Sequence, residues 1–306
     1  MTRRFLRGRR RDHLQWLTGD ESPGATGDDV GREDDQLMSG DEFELSGPEI
    51  LEGHLYDYPA YYDLIFGSDC AAEVSFFEDC FEHLAGRTVR RLYEPACGTG
   101  RLLVRLAGRG YVVAGNDLNP RAVDYCNERF QRAGWDPPAT VGDMADFRLR
   151  RKVDAVFNTI NSIRHLDSES AARSHLGCVA EGLARGGLYL LGLHLTPGSG
   201  PRDMGETWSA RRGHLAIVSN LQSVSIDRRR RVERFEMTFD IYTPTRHRRI
   251  AGILKYRTYT LAQIRRLVAS VPSLEWVESF DFCYDVDRPI TVDESTEDVV
   301  LVLRKR

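Results

Sequence analysis

Glu94, Gly98 and Gly100 share the stretch Leu92–Gly100 (Leu-Tyr-Glu-Pro-Ala-Cys-Gly-Thr-Gly), whose order suits holding a small cationic ligand against backbone. An apolar stub ends in an acid, small or turn-forming residues follow, and Gly98-Thr99-Gly100 opens onto a helical segment, Arg101–Ala107. In an open α/β sheet, such a corner lies where ligands bind, beyond the carboxyl ends of the strands. A glycine turn here is first read as a pyrophosphate cradle at a helix N-terminus. However, Leu103 stands where the dinucleotide pattern needs its third glycine or alanine, and no Lys-Ser or Lys-Thr pair makes a Walker loop. A carboxylate at Glu94 would repel phosphates and attract an ammonium group through a charge-assisted hydrogen bond.

A second acid, Asp117, follows the β-branched run Tyr111–Gly115, and a third, Asp143, lies in Thr140–Met144. An acid at the tip of the strand after the glycine turn can accept both ribose hydroxyls. Its competing role is a helix cap, but Asn119, directly before Pro120, is better placed for that. The series Glu94, Gly98, Gly100, Asp117 and Asp143 resembles, in order, the motifs of class I S-adenosylmethionine-dependent methyltransferases. The pattern is closest to small-molecule N-methyltransferases of the sugar-amine or glycine type. The resemblance implies S-adenosylmethionine as cofactor. It places the methionine part at Glu94, Ala96, Gly98, Gly100 and Asn158, the ribose at Asp117 with Leu118 beside it, and the adenine at Asp143 and Met144. It also likens the tyrosine-rich Leu55–Gly67 to a segment that folds over the cofactor, with Tyr62 on the cofactor and Tyr56 toward the substrate. Tyr61 is a further candidate, and the competing reading is an aromatic helix packed on the sheet. Asn161 and His194 are expected to face the substrate, and His165 to serve as catalytic base, with His194 as the second choice for that role. A cap for the helix starting near Ser168 is the alternative for His165.

These residues need a scaffold. Strands are expected at Leu92–Glu94, Tyr111–Gly115, Thr140–Met144, Val153–Asn158 and Gly187–Leu195, with helices at Arg101–Ala107, Arg121–Ala133 and Ser168–Ala184. That alternation implies a doubly wound, Rossmann-like α/β sheet, and the resemblance makes it seven-stranded, mostly parallel, with an antiparallel last strand. After the fifth strand the rhythm changes. His214–Ile226, Val232–Tyr242 and Arg249–Thr258 read as antiparallel strands, and Phe235, Met237, Phe239 and Ile241 alternate with polar residues. A helix at Thr260–Ala269 and strands at Leu274–Tyr284 and Val299–Leu303 would complete the core. The expected division is a disordered basic and acidic tail over 1–48 and a cofactor-binding core with its lid over 49–205. A substrate-covering inserted sheet over 206–259 and the end of the core over 260–306 follow.

Composition narrows the partners. A net charge of −4 argues against a nucleic-acid partner, and no apolar run is long enough to span a bilayer. The 6 scattered cysteines, without a C-x-x-C pair, fit reduced thiols in a cytoplasm and no metal site. Asp227–Arg231 and Arg246–Arg249 read as solvated edges, with an anionic substrate as the sharper alternative. The partner expected is a small-molecule methyl acceptor, at nitrogen or oxygen, and a homodimer is left open. An RNA or nucleobase methyltransferase is the alternative, although Asn158-Thr159-Ile160-Asn161 lacks the aromatic that would stack on a flipped base. A non-catalytic S-adenosylmethionine-binding module is the third reading.

Overall fold

In the computed structural model, the described residues are 47–67, 70–197 and 205–306; the tail expected over 1–48 lies outside them except for its last two residues. The core sheet is built from β2 (Arg91–Pro95), β3 (Val112–Asp117), β4 (Ala139–Val141), β5 (Val153–Asn158), β6 (Leu183–His194), β11 (Leu274–Phe280) and β12 (Asp298–Lys305). Their spatial order is β11-β12-β6-β5-β2-β3-β4. The strands from β6 to β4 pair in parallel, whereas β12 runs antiparallel to both its neighbours. This is the expected mostly parallel, seven-stranded sheet.

Every residue of β5 is buried, as a parallel strand covered on both faces requires. One face packs under α5 (Glu169–Gly182) and α6 (Leu261–Ala269), through Leu176, Val179, Ile264 and Leu267. The other packs under α2 (Ala71–His83), α3 (Arg101–Gly108) and α4 (Pro120–Arg132), through Phe77, Leu102, Leu106 and Val123. Short polar side chains set the helix starts. Asn119 caps α4 ahead of Pro120, Ser168 caps α5, and Thr260 with Gln263 forms a capping box on α6.

The inserted sheet is larger than the sequence suggested. Besides β8 (Leu215–Asp227), β9 (Val232–Thr243) and β10 (Arg246–Arg257), it holds β1 (Glu49–Ile50) and β7 (Gly205–Arg212) in the order β1-β10-β9-β8-β7. β1 joins β10 in parallel, so the start of the described chain is stitched to the insertion. Phe235, Met237, Phe239 and Ile241 do form its dry face, against α1 (Pro59–Phe66). Two boundaries also shift. α5 stops at Gly182 and β6 begins at Leu183, not at Gly187. There Gly186 adopts a φ of +78° and accepts a hydrogen bond from Gly86 N–H. Among the described residues, no helix is long and apolar enough to cross a membrane.

Candidate active site

The glycine turn stands at the carboxyl end of β2. Ala96, Gly98 and Gly100 take φ values of +54°, +52° and +66°, the left-handed region that glycine enters without a Cβ penalty. A Cβ on Gly100 would lie 2.3 Å from Cys126 Sγ, whereas one on Gly98 would meet no atom within 4 Å. The turn is therefore pressed onto α4 at Gly100 and open toward the crevice at Gly98. Gly100→Ala is expected to cost about 2 kcal/mol in backbone strain alone, readable as a lower urea midpoint with an unchanged slope. An unaltered midpoint would mean that the turn yields freely.

Glu94, one residue before the end of this strand, is almost wholly buried, and its Oε2 has no hydrogen-bond partner among the described residues. Burial pushes its carboxyl well above the ordinary range, and the nearby Arg101 guanidinium opposes that rise. Arg101 is already held by Glu73 of α2, with Nη2 2.9 Å from Oε1, and Glu73 also accepts from Thr159 Oγ1 at 2.7 Å. The free Glu94 oxygen is thus an acceptor awaiting a donor from a ligand, as an α-ammonium would be.

Asp117, at the tip of β3, faces the same turn. Its two oxygens accept from Gly98 N and Asn119 N, both at 2.8 Å. A carboxylate has further lone pairs for hydroxyls. Asn119 caps α4, so the competing cap role for Asp117 is not taken up. Leu118, beside it, is 71% exposed, which leaves an apolar wall at the mouth. Asp143 accepts from Ala145 N at 2.7 Å just past β4. Met144 gives its carbonyl to His175 Nδ1 at 2.8 Å.

His175 begins a buried relay. Its Nε2 meets Tyr189 Oη at 2.7 Å, Tyr189 Oη lies 3.1 Å from Asn158 Oδ1, and Asn158 Nδ2 donates to the Pro95 carbonyl. Asn158 therefore ties β5 to the glycine turn. Burial lowers the His175 pKa to about 4. With an unfolded value near 6.5, the unfolded chain binds the extra proton first, so stability should fall between about pH 6.5 and 4. His175→Gln should flatten that limb by about 3 kcal/mol in denaturant titrations. An unchanged limb would remove His175 as its source.

The tyrosine segment covers this rim as a short turn, Leu55–Asp57, followed by α1. Asp63 latches it down, accepting from Arg129 Nη1 at 2.6 Å, Thr99 Oγ1 at 3.2 Å and Tyr125 Oη at 3.2 Å. Tyr56 and Tyr62 meet edge to face at 5.5 Å, and the Asp117 charge helps raise both hydroxyls above their ordinary values, after the larger effect of burial. The segment is both a cover and a packed helix, since Leu64 and Leu55 sit in the apolar layer beneath the inserted sheet. Tyr61 stacks on Tyr58 at 6.0 Å, farther along the segment.

His165 joins that cluster. Its Nε2 lies 3.1 Å from Tyr56 Oη, and Tyr256 of β10 packs on its ring at 4.8 Å. Although one edge of the residue stays exposed, its crowded surroundings lower its pKa to about 4, chiefly through burial and then through Arg164 and His54. Ser168, not His165, caps α5. Asn161 is taken up structurally, with φ +56° and Oδ1 accepting from His194 N at 2.8 Å. His194, at the end of β6, pairs with Asp298.

The sequence did not single out Asp63, Glu73, Arg101 or Tyr256. Nor did it reveal Arg164, whose Nη2 meets Glu233 Oε2 at 2.8 Å with both side chains almost fully buried. Its basic edges are partly spoken for. Arg231 binds Glu169 at 2.6 Å, Arg249 and His247 bind Asp240, and Arg248 binds Glu49. Arg228, Arg229 and Arg230 remain exposed.

Residues 93–187 match the model of a methyltransferase domain family. The curated relatives include a dTDP-3-amino-3,4,6-trideoxy-alpha-D-glucopyranose N,N-dimethyltransferase of Streptomyces venezuelae, 32% identical over 44% of this chain and 56% of its own length. A tRNA (guanine(10)-N2)-dimethyltransferase of Methanothermobacter thermautotrophicus is 32% identical over 37% of the chain and 35% of its own length. The chain thus spans about half or less of the length of these relatives. Among solved structures, DesVI of Streptomyces venezuelae aligns with a TM-score of 0.68 at 21% identity, over 84% of this chain and 100% of its own. The sugar N-methyltransferase KedS8 of Streptoalloteichus aligns with a TM-score of 0.63 at 20% identity, over 93% and 100%. The glycine turn, Asp117 and Asp143 all lie inside the segment that matches the methyltransferase domain family, and the chain shares the fold of these solved methyltransferase structures.

Proposed function

We propose that this protein transfers the methyl group of S-adenosylmethionine to an amine nitrogen of a small polar molecule of the aminosugar class. The observation that carries the cofactor assignment is the unpartnered, buried Glu94 oxygen beside an open glycine turn. Glu94 would take the α-ammonium, Ala96, Gly98 and Gly100 would let the methionine part approach backbone, and Asp117 would hold the ribose beside Leu118. Asp143 and Met144 would meet the adenine, Asn158 would fix the turn from below, and Tyr62 would close over the top. When bound, the cofactor supplies an activated methyl group on a sulfonium. The chain contributes alignment in a site shielded from water, and the tyrosine cover with its electron-rich faces suits a nearby sulfonium. Tyr56, His165 and Tyr256 would orient the acceptor, with Asn161 shaping the loop behind it. The aminosugar class is supported by the Streptomyces relative and by the DesVI and KedS8 folds. A reducing cytoplasm is the setting we infer, supported by 6 free cysteines, four of them buried.

Because burial raises the Glu94 carboxyl, pairing with an ammonium should expel a proton, and cofactor affinity should rise with pH over that range. Calorimetry in buffers of different ionisation enthalpy should show that release, and Glu94→Gln should abolish it. Buffer-independent heats would contradict the Glu94 role. For the acceptor, mass spectrometry of kanosamine, D-glucosamine and glycine, beside D-glucose and glycolate, is expected to show methyl gain on amines alone. Methylation of the hydroxy compounds alone would overturn the amine assignment.

A further inference from the structure

Beyond the carboxyl end of β6, His194 presents Nδ1 to Asp298 Oδ1 at 2.5 Å. Asp298 opens β12 and is its register partner across the sheet. The pair lies on the ligand-binding rim. Phe282 packs edge-on against the His194 ring at 5.2 Å and stacks on Tyr284 at 6.0 Å. Tyr284 Oη reaches Glu73 Oε1 at 3.4 Å, and Glu73 holds Arg101 at the start of α3. That run of contacts leads from His194 to the glycine turn and Glu94.

The inserted sheet adds a third group. β7 brings Glu206 into the neighbourhood, where burial raises its carboxyl, His194 attracts it and Asp298 repels it. β7 also lies against the cover, with Trp208 edge-on to Phe66 of α1 at 5.5 Å. The charged groups facing His194 are thus Asp298 on β12 and Glu206 on β7. The loop after β5 offers only the Asn161 amide oxygen, which accepts from the His194 backbone N–H. Among the described residues, Nε2 of His194 has no hydrogen-bond partner, whereas Nε2 of His165 is engaged by Tyr56.

We propose that the acceptor enters as an alkylammonium ion seated between Glu206 and Asp298, and that His194 Nε2 removes the proton that masks its nucleophilic nitrogen. This rests on the amine methyltransferase reading above and deepens it. Two carboxylates around one imidazole suit a cation and would leave a neutral alcohol without a matching charge. Asp298 is a positioning residue. It fixes the tautomer with a proton on Nδ1, leaving the Nε2 lone pair outward, and stabilises the imidazolium that forms. The step balances. One N–H proton of the ammonium moves to Nε2, the freed lone pair forms the new N–C bond, and the electron pair of the broken S–C bond stays on sulfur. His194 later returns its proton to solvent.

The test uses the full chain with kanosamine, D-glucosamine and glycine. For the best of these, His194→Gln should lower kcat/KM about a hundredfold at pH 7. The deficit should shrink toward pH 10, where the amine is already neutral, and Asp298→Asn should follow the same profile. Independently of turnover, calorimetry on the chain loaded with S-adenosylhomocysteine should show Glu206→Gln weakening amine binding about tenfold, with the affinity for S-adenosylhomocysteine unchanged. A pH-independent loss in His194→Gln, or amine binding indifferent to Glu206, would overturn the proposal and leave the amine reading intact. Loss of S-adenosylhomocysteine binding in these variants would make the dyad structural and equally overturn it. If the wild type methylates none of the three amines, the parent reading fails first.

Discussion

Asp117→Ala is expected to weaken S-adenosylmethionine binding by about a hundredfold or more, with little change in fold. In the proposed pose its carboxylate accepts both ribose hydroxyls, and hydrogen bonds to a charged group are worth roughly 1.5–3 kcal/mol each. Losing about 3 kcal/mol corresponds to two powers of ten in affinity. The same carboxylate also fastens the turn, since Gly98 N donates to it at 2.8 Å. Alanine therefore removes a ligand acceptor and a latch together. Asp117→Asn keeps one acceptor oxygen and should lose less. Calorimetry on both variants separates these cases, and equal affinity in wild type and Asp117→Ala would contradict the assignment.

Arg164→Met should be the most destabilising single change in the chain. The guanidinium is buried between the loop after β5 and the inserted sheet. It bonds Glu233 at 2.8 Å and the Arg257 carbonyl at 3.1 Å, and it lies over the Tyr256 ring at 4.9 Å. Removing the guanidinium leaves the buried Glu233 carboxylate without this cation, with Ser223 Oγ still donating to it at 3.1 Å, and breaking such a pair costs about 3–5 kcal/mol. For a fold of this size that corresponds to a Tm lower by roughly 10 °C. The double change Arg164→Met with Glu233→Leu should recover most of the loss, because no buried charge then lacks its counter-ion. Equal melting points for wild type and the single variant would show that the junction does not depend on this pair.

The core was legible because its signals are local. Each acid lies at or near the end of its own strand, so Glu94, Asp117 and Asp143 could be placed from a few neighbouring residues, and Asn119-Pro120 announced a helix start. The pairs that hold the site closed join residues far apart in sequence. Glu73 and Arg101 lie 28 residues apart and Arg164 and Glu233 lie 69 apart, so nothing near either partner signals the other. β7 escaped because Gly205–Arg212 is polar and only half covered; its packing comes from α1, which the sequence offered as a tyrosine-rich cover or an aromatic helix on the sheet, without naming the strand beneath it. β1 is too short to carry a pattern of its own. The hydrogen bond between Tyr56 and His165 joins two motifs that the sequence supplied separately. Their meeting depends on how the cover folds back over the sheet.

The central claim is methyl transfer from S-adenosylmethionine to an amine. The most direct test incubates the full chain with methyl-labelled S-adenosylmethionine and kanosamine, D-glucosamine or glycine, and follows the label by mass spectrometry. The account predicts label on the amine nitrogen of at least one of them, with S-adenosylhomocysteine formed in equal amount, and none from the Asp117→Ala chain at the same cofactor concentration. Label that reaches no amine, while the wild-type chain binds S-adenosylmethionine, would contradict it.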